Sequence, residues 1–153
     1  MLSSRASIRG AKAKVVGQWF ENILSVACTR EGIAFEQIPS GCKWVGKRAI
    51  PAKTPFDFIA SKDSRAILFD AKTVNVETFS KSACKEHQVE SLFRFEVSGL
   101  TAGYIVWFRG SDSIVFFKAS QLKNLAPRRS LRISDGVFLG SKDALNLGVL
   151  FHD

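Results

Sequence analysis

Cysteine is scarce in this chain and forms no pattern. Three Cys occur among 153 residues, at positions 28, 42 and 84. The number is odd and no pair has CxxC spacing. A disulfide framework and a zinc site are both disfavoured, and a reducing compartment is the natural inference. Long apolar runs are missing too. None approaches the ~18 residues needed to span a bilayer, and no signal-peptide apolar stretch opens the sequence. There is no internal repeat, low-complexity tract or interdomain linker. No acid precedes Glu21. Residues 1–14 therefore read as a basic arm on DNA or a frayed terminus, with a transit peptide the weaker alternative.

What is present fits one globular domain over residues 1–153. Hydrophobic residues make up 46% of the chain, 13 of them Phe, which is enough to bury a core. The net charge is +8, and a pI near 9.7 favours a polyanionic partner.

The informative residues are charges in apolar surroundings. Asp57 stands between Phe56 and Phe58. Asp70, Ala71 and Lys72 follow Ile67, Leu68 and Phe69. Burying such charges is costly unless a partner compensates them, and a divalent cation is one such partner. Alternation along a strand points Ile67, Phe69 and Ala71 one way and Leu68, Asp70 and Lys72 the other. It also sets Asp57 opposite both Phe56 and Phe58. Residues 61–65 suit a hairpin loop that brings Asp57 near Asp70, with Lys72 beside both. A bare acid-X-Lys triplet arises roughly once by chance in such a composition, so its setting carries the signal. Strand-end charges facing solvent are the alternative.

Around these segments, Val15, Val16, Trp19, Phe20, Ile23, Leu24 and Ala27 recur with helical period and define a helix over about residues 11–29. Glu21 lies off its apolar stripe, one turn after Gly17. Residues 33–38 read as a strand. Residues 41–53 read as a loop in which Lys43, Lys47, Arg48 and Lys53 surround Trp44. That set suits phosphate contacts plus stacking on a base; the alternative is a solvated loop with Trp44 in the core. Ser82 is the expected N-cap of a second helix over residues 83–98, ended by Gly99. That helix puts Gln88 near its buried face and His87 away from it. Strands are expected at 103–109 and 114–118, a short helix at 119–125 and a further strand at 137–139. The apolar C-terminal residues are open to two roles: closing the core or packing on a second subunit.

Thr54-Pro55-Phe56-Asp57-Phe58, then Asp70-Ala71-Lys72-Thr73, then Glu86-His87-Gln88-Val89-Glu90, resemble the RecU-type Holliday junction resolvases of the PD-(D/E)xK nuclease superfamily. The resemblance runs from about residue 53 to 125. It implies an α/β restriction-endonuclease-like core, a central mixed sheet flanked by helices, with 1–12 an arm and 126–153 an extension. It implies metal-dependent cleavage of DNA, most specifically paired nicks at four-way junctions by a homodimer in a bacterial or phage-infected cytoplasm. Asp57, Asp70 and the Ala71 carbonyl would bind Mg²⁺ or Mn²⁺. Lys72 would act on the attacking water, Glu21 would be the auxiliary acid, and Gln88 would position Lys72 or the phosphate. Two departures stand out. Asp70 replaces the usual Glu, and residues 41–53 are short for the projecting stalk of RecU proteins. The shortness favours one alternative, a nuclease for flaps, ends or mismatches; a second, a basic DNA-binding protein without catalysis, is opposed by the intact Asp57, Asp70 and Lys72 set.

Overall fold

The computed structural model describes residues 2–39 and 41–152, with residues 2–11 described by their backbone only. The chain runs α1 (Leu2–Glu31), β1 (Ala34–Gln37), β2 (Cys42–Val45), β3 (Arg48–Pro51), β4 (Phe58–Lys62) and β5 (Arg65–Val74). It continues through β6 (Thr78–Ser80), α2 (Glu86–Val97), β7 (Thr101–Phe108), β8 (Ser113–Lys118) and α3 (Ala119–Lys123). β9 (Ser130–Arg132), β10 (Val137–Gly140) and a 3₁₀ turn (Leu147–Phe151) complete it.

Six strands form one mixed sheet in the order β1-β4-β5-β7-β8-β10. β5 and β7 are parallel, and the other neighbours are antiparallel. A parallel pair needs a crossover, and α2 supplies it. The alternation expected in β5 is present. Ile67 and Phe69 join the core under α1, where Phe20, Leu24 and Ala27 are fully buried. Leu68 joins the core under α2, with Val89, Leu92 and Tyr104.

Several expectations need correction. The first helix starts at Leu2 rather than near residue 11. The β4–β5 connection is a two-residue turn, Asp63-Ser64, with φ of 53° and 63°, not a five-residue loop. Two consecutive positive φ values are the type I′ geometry that matches the twist of a hairpin. Ser82 is not an N-cap: Lys81–Ala83 forms a separate 3₁₀ turn and Lys85 caps α2. Phe56 and Phe58 do not share a face. Phe58 stacks on Phe35 and Phe69 on the α1 side, and Phe56 meets Phe95 on the α2 side. The alternation rule fails there because Asp57 precedes β4, in a bend after Pro55.

Residues 41–53 are not a loop either. β2 and β3 pair with each other alone, as a separate two-stranded ribbon. Gly46 (φ 62°) opens its two-residue turn, Gly46-Lys47, the position where a type II′ turn calls for glycine. The C-terminal residues close the core: Leu139, Leu145, Leu147 and Phe151 pack under α1. Glu31 fastens them, its carboxylate accepting from the amides of Leu147 and Gly148 at 2.9 Å each.

Candidate active site

The fold brings four of the expected residues into one connected group. Strand pairing between β4 and β5 stops at Phe58–Phe69. From Asp70 onward β5 has a strand neighbour on one side only, β7. Asp57 sits where β4 begins, beside this open stretch. Its Oδ1 accepts from Gln88 Nε2 at 3.0 Å and from Thr54 Oγ1 at 3.2 Å. Asp70 lies within hydrogen-bonding reach of Asp57. The Lys72 ammonium is 3.0 Å from Asp70 Oδ2, and the Ala71 amide donates to Asp70 Oδ1 at 3.0 Å.

Burial sets the protonation of the two acids apart. Asp70 is 1% exposed. Desolvation first, then the hydrogen bond with Asp57, pushes its carboxyl up to about 7, against the pull of Lys72. Burial would also raise Asp57. There the hydrogen bonds with Asp70, Thr54 and Gln88 and the charge of Lys72 win, and hold it below the usual carboxylate range. Without a cation, and below about pH 7, the pair therefore carries one proton, on Asp70. Glu21 faces the same group from α1; partial burial and then the charge of Asp57 raise its carboxyl. A Cβ on Gly17 would meet no neighbouring atom, so no protein contact demands glycine there.

Gln88 is buried beside Asp57, as the helical pattern indicated. Three contributors escaped the sequence reading. Thr54 holds Asp57. Lys85 and His87, at the start of α2, line a cleft of about 610 Å³ together with Asp57 and Lys53. His87 was expected to point away. Lys43, Lys47 and Arg48 lie on the exposed ribbon, and Trp44 is 72% exposed rather than tucked into the core. Strand alternation puts Trp44 and Ala49 on one ribbon face and Lys43, Val45, Arg48 and Ile50 on the other.

The donor set suits a hard divalent cation. Among the described residues no group of three or more His, Cys, Asp or Glu gathers as a metal cage. Two carboxylates and a backbone carbonyl are what Mg²⁺ uses when substrate phosphate completes its shell. Asp70 Oδ2 and Gln88 Oε1 are buried and lack a hydrogen-bond partner; for Asp70 the Lys72 contact is an ion pair without hydrogen-bond geometry. Unpartnered oxygens beside a shared-proton pair fit a site made for a cation.

A mixed sheet flanked by helices, with these residues at the open end of its central hairpin, defines a restriction-endonuclease-like fold. The Holliday junction resolvase Hjc of Archaeoglobus fulgidus is a similar solved structure, with a TM-score of 0.57 at 18% identity. The match covers 80% of this chain and 95% of Hjc. No curated protein matches the chain. The family model for RecU, Recombination protein U, matches residues 40–134. The chain belongs to this family of Holliday junction resolvases and is a structure-specific endodeoxyribonuclease.

Proposed function

We propose that the chain resolves four-way DNA junctions as a homodimer, each subunit nicking one strand through Asp57, Asp70 and Lys72. The observation that carries this reading is the contact chain from Gln88 through Asp57 and Asp70 to Lys72, at the end of β5 where pairing stops. Asp57, Asp70 and the Ala71 carbonyl would hold Mg²⁺ or Mn²⁺, with Glu21 available to a second ion or a bridging water. A cation there supplies a lowered water pKa and charge neutralisation at the pentavalent phosphate. Lys72 orients the attacking water and offsets the phosphorane charge. Gln88 fixes Asp57. Lys53 and Lys85, at the cleft wall, meet flanking phosphates.

The ribbon is a reduced counterpart of the stalk. Its cations meet phosphates, and Trp44 stacks at the unpaired junction centre. Two symmetric nicks require two sites, hence a two-fold dimer. The metal requirement is tested by cleavage of a synthetic junction in Mg²⁺, Mn²⁺, Ca²⁺ and chelator. Cutting is expected in the first two only, with Ca²⁺ supporting binding. Full-rate cutting in chelator would overturn the metal mechanism. Sedimentation of the protein on a junction tests the dimer, and a single subunit bound to a fully resolved junction would contradict it.

A further inference from the structure

Among the described residues, three buried side-chain polar atoms lack a hydrogen-bond partner: Asp70 Oδ2, Gln88 Oε1 and Tyr104 Oη. The first two belong to the site above. Tyr104 has no part in it so far, yet it is fully buried and is the register partner of Asp70 across the parallel β5–β7 pair. Register partners in a sheet point to the same face. Tyr104 and Asp70 therefore stand side by side beneath α2.

Packing does not explain the hydroxyl. The ring sits against Phe79 in the α2-side core, a setting that phenylalanine would fill as well. The chain has 13 Phe and a single Tyr. The Cys84 thiol lies against the phenol, but a thiol is a weak partner. A phenol is protonated throughout the working pH range and able to donate. A buried donor with so weak a partner is costly unless some state of the protein uses it.

We propose that Tyr104 is a positioning residue for the metal centre, its hydroxyl donating to the Asp70 carboxylate when a cation occupies the site and fixing the carboxylate's orientation toward that cation. This rests on the reading of Asp70 as a metal ligand. Ala71 N–H already holds Oδ1 and Lys72 approaches Oδ2. A donor from β7 stops rotation of the carboxylate. The phenol acts through Asp70 and touches neither water nor phosphate.

The test uses the full chain and its Tyr104→Phe variant, titrated with Mn²⁺. Two readouts are followed: the Mn²⁺-dependent rise in Tm without DNA, and junction cleavage. Tyr104→Phe should raise the Mn²⁺ half-saturation about tenfold in both, the usual scale for losing a hydrogen bond behind a ligand. Its metal-free Tm should equal or exceed that of the wild type, because a poorly partnered hydroxyl has gone. Cys84→Ala keeps the phenol and should leave the half-saturation unchanged. A wild-type half-saturation in Tyr104→Phe overturns the proposal, whatever the Tm does. An equal shift in Cys84→Ala also overturns it. Asp70→Asn separates the two levels. If it keeps the Mn²⁺-dependent Tm rise, Asp70 is no ligand and both readings fall. If it loses that rise while Tyr104→Phe titrates normally, only the role of Tyr104 fails.

Discussion

Replacing Asp70 with Asn should destroy cleavage and at the same time stabilise the metal-free protein in a pH-dependent way. Asp70 titrates near 7 in the native state instead of near its ordinary 3.8, because it is buried beside Asp57. The native state thus holds a proton that the unfolded chain releases between those values. Stability contributed by this group is fully present below pH 3.8 and is lost as pH rises through about 7. Moving a carboxyl over that interval is worth on the order of 4 kcal/mol. Asn removes the penalty, in which the attraction of Lys72 is already counted, but its amide is a poorer neighbour for Asp57 than a protonated carboxyl. A net gain of about 2 kcal/mol at pH 8 is the expected result, or about 4–8 °C in Tm for a chain of this size. Near pH 4, where the wild type carries no such penalty, the difference should reverse sign and the variant should melt below the wild type. Calorimetry in chelator at pH 4, 6 and 8 measures it. A variant that melts below the wild type at pH 8, or a difference that does not change with pH, would refute the assignment of the proton to Asp70 beside Asp57.

Other expectations follow from the same geometry. Lys72→Ala should abolish cutting and leave junction affinity in Ca²⁺ nearly unchanged, since affinity comes from the exposed cations; gel-shift and cleavage assays on one preparation check both. Trp44→Ala should cost about 1–3 kcal/mol of junction affinity and barely touch duplex affinity. Because Trp44 is 72% exposed, its removal should leave Tm in place; equal losses on both substrates would remove its role at the branch point. Lys43→Ala or Arg48→Ala should weaken junction and duplex alike and lower the salt slope by roughly 0.9 for each lost phosphate contact, read from binding across a salt series. Glu31→Ala should destabilise the fold by about 2–4 kcal/mol in urea melts, because two buried amides of the C-terminal turn lose a charged acceptor.

The candidate cluster was legible because buried charge is conspicuous. Asp57 between two Phe, and Asp70 and Lys72 after an apolar run, flagged segments that the fold brings together, and the alternation expected in β5 is observed. The same rule misplaced Phe56, because Asp57 lies in a bend before β4, where the two-residue period does not apply. Thr54, Lys85 and His87 carried no periodic signal of their own. Their approach to Asp57 depends on tertiary packing around that bend, which no local pattern encodes. The β2–β3 ribbon was hidden for a related reason. Its side chains are exposed on both faces, so no apolar alternation betrays the strands, and Gly46 was the sole turn cue. The C-terminal residues looked apolar without revealing what they cover. The answer lay in Glu31, more than a hundred positions away.

The most direct test of the central claim compares wild type with Asp70→Asn on a synthetic four-way junction and on a linear duplex of matching sequence, in Mg²⁺. The expected result is paired, near-symmetric nicks in the junction by the wild type, little cutting of the duplex, and binding without cleavage by the variant. Substantial junction cleavage by a folded Asp70→Asn, or equal wild-type cutting of both substrates, would contradict it.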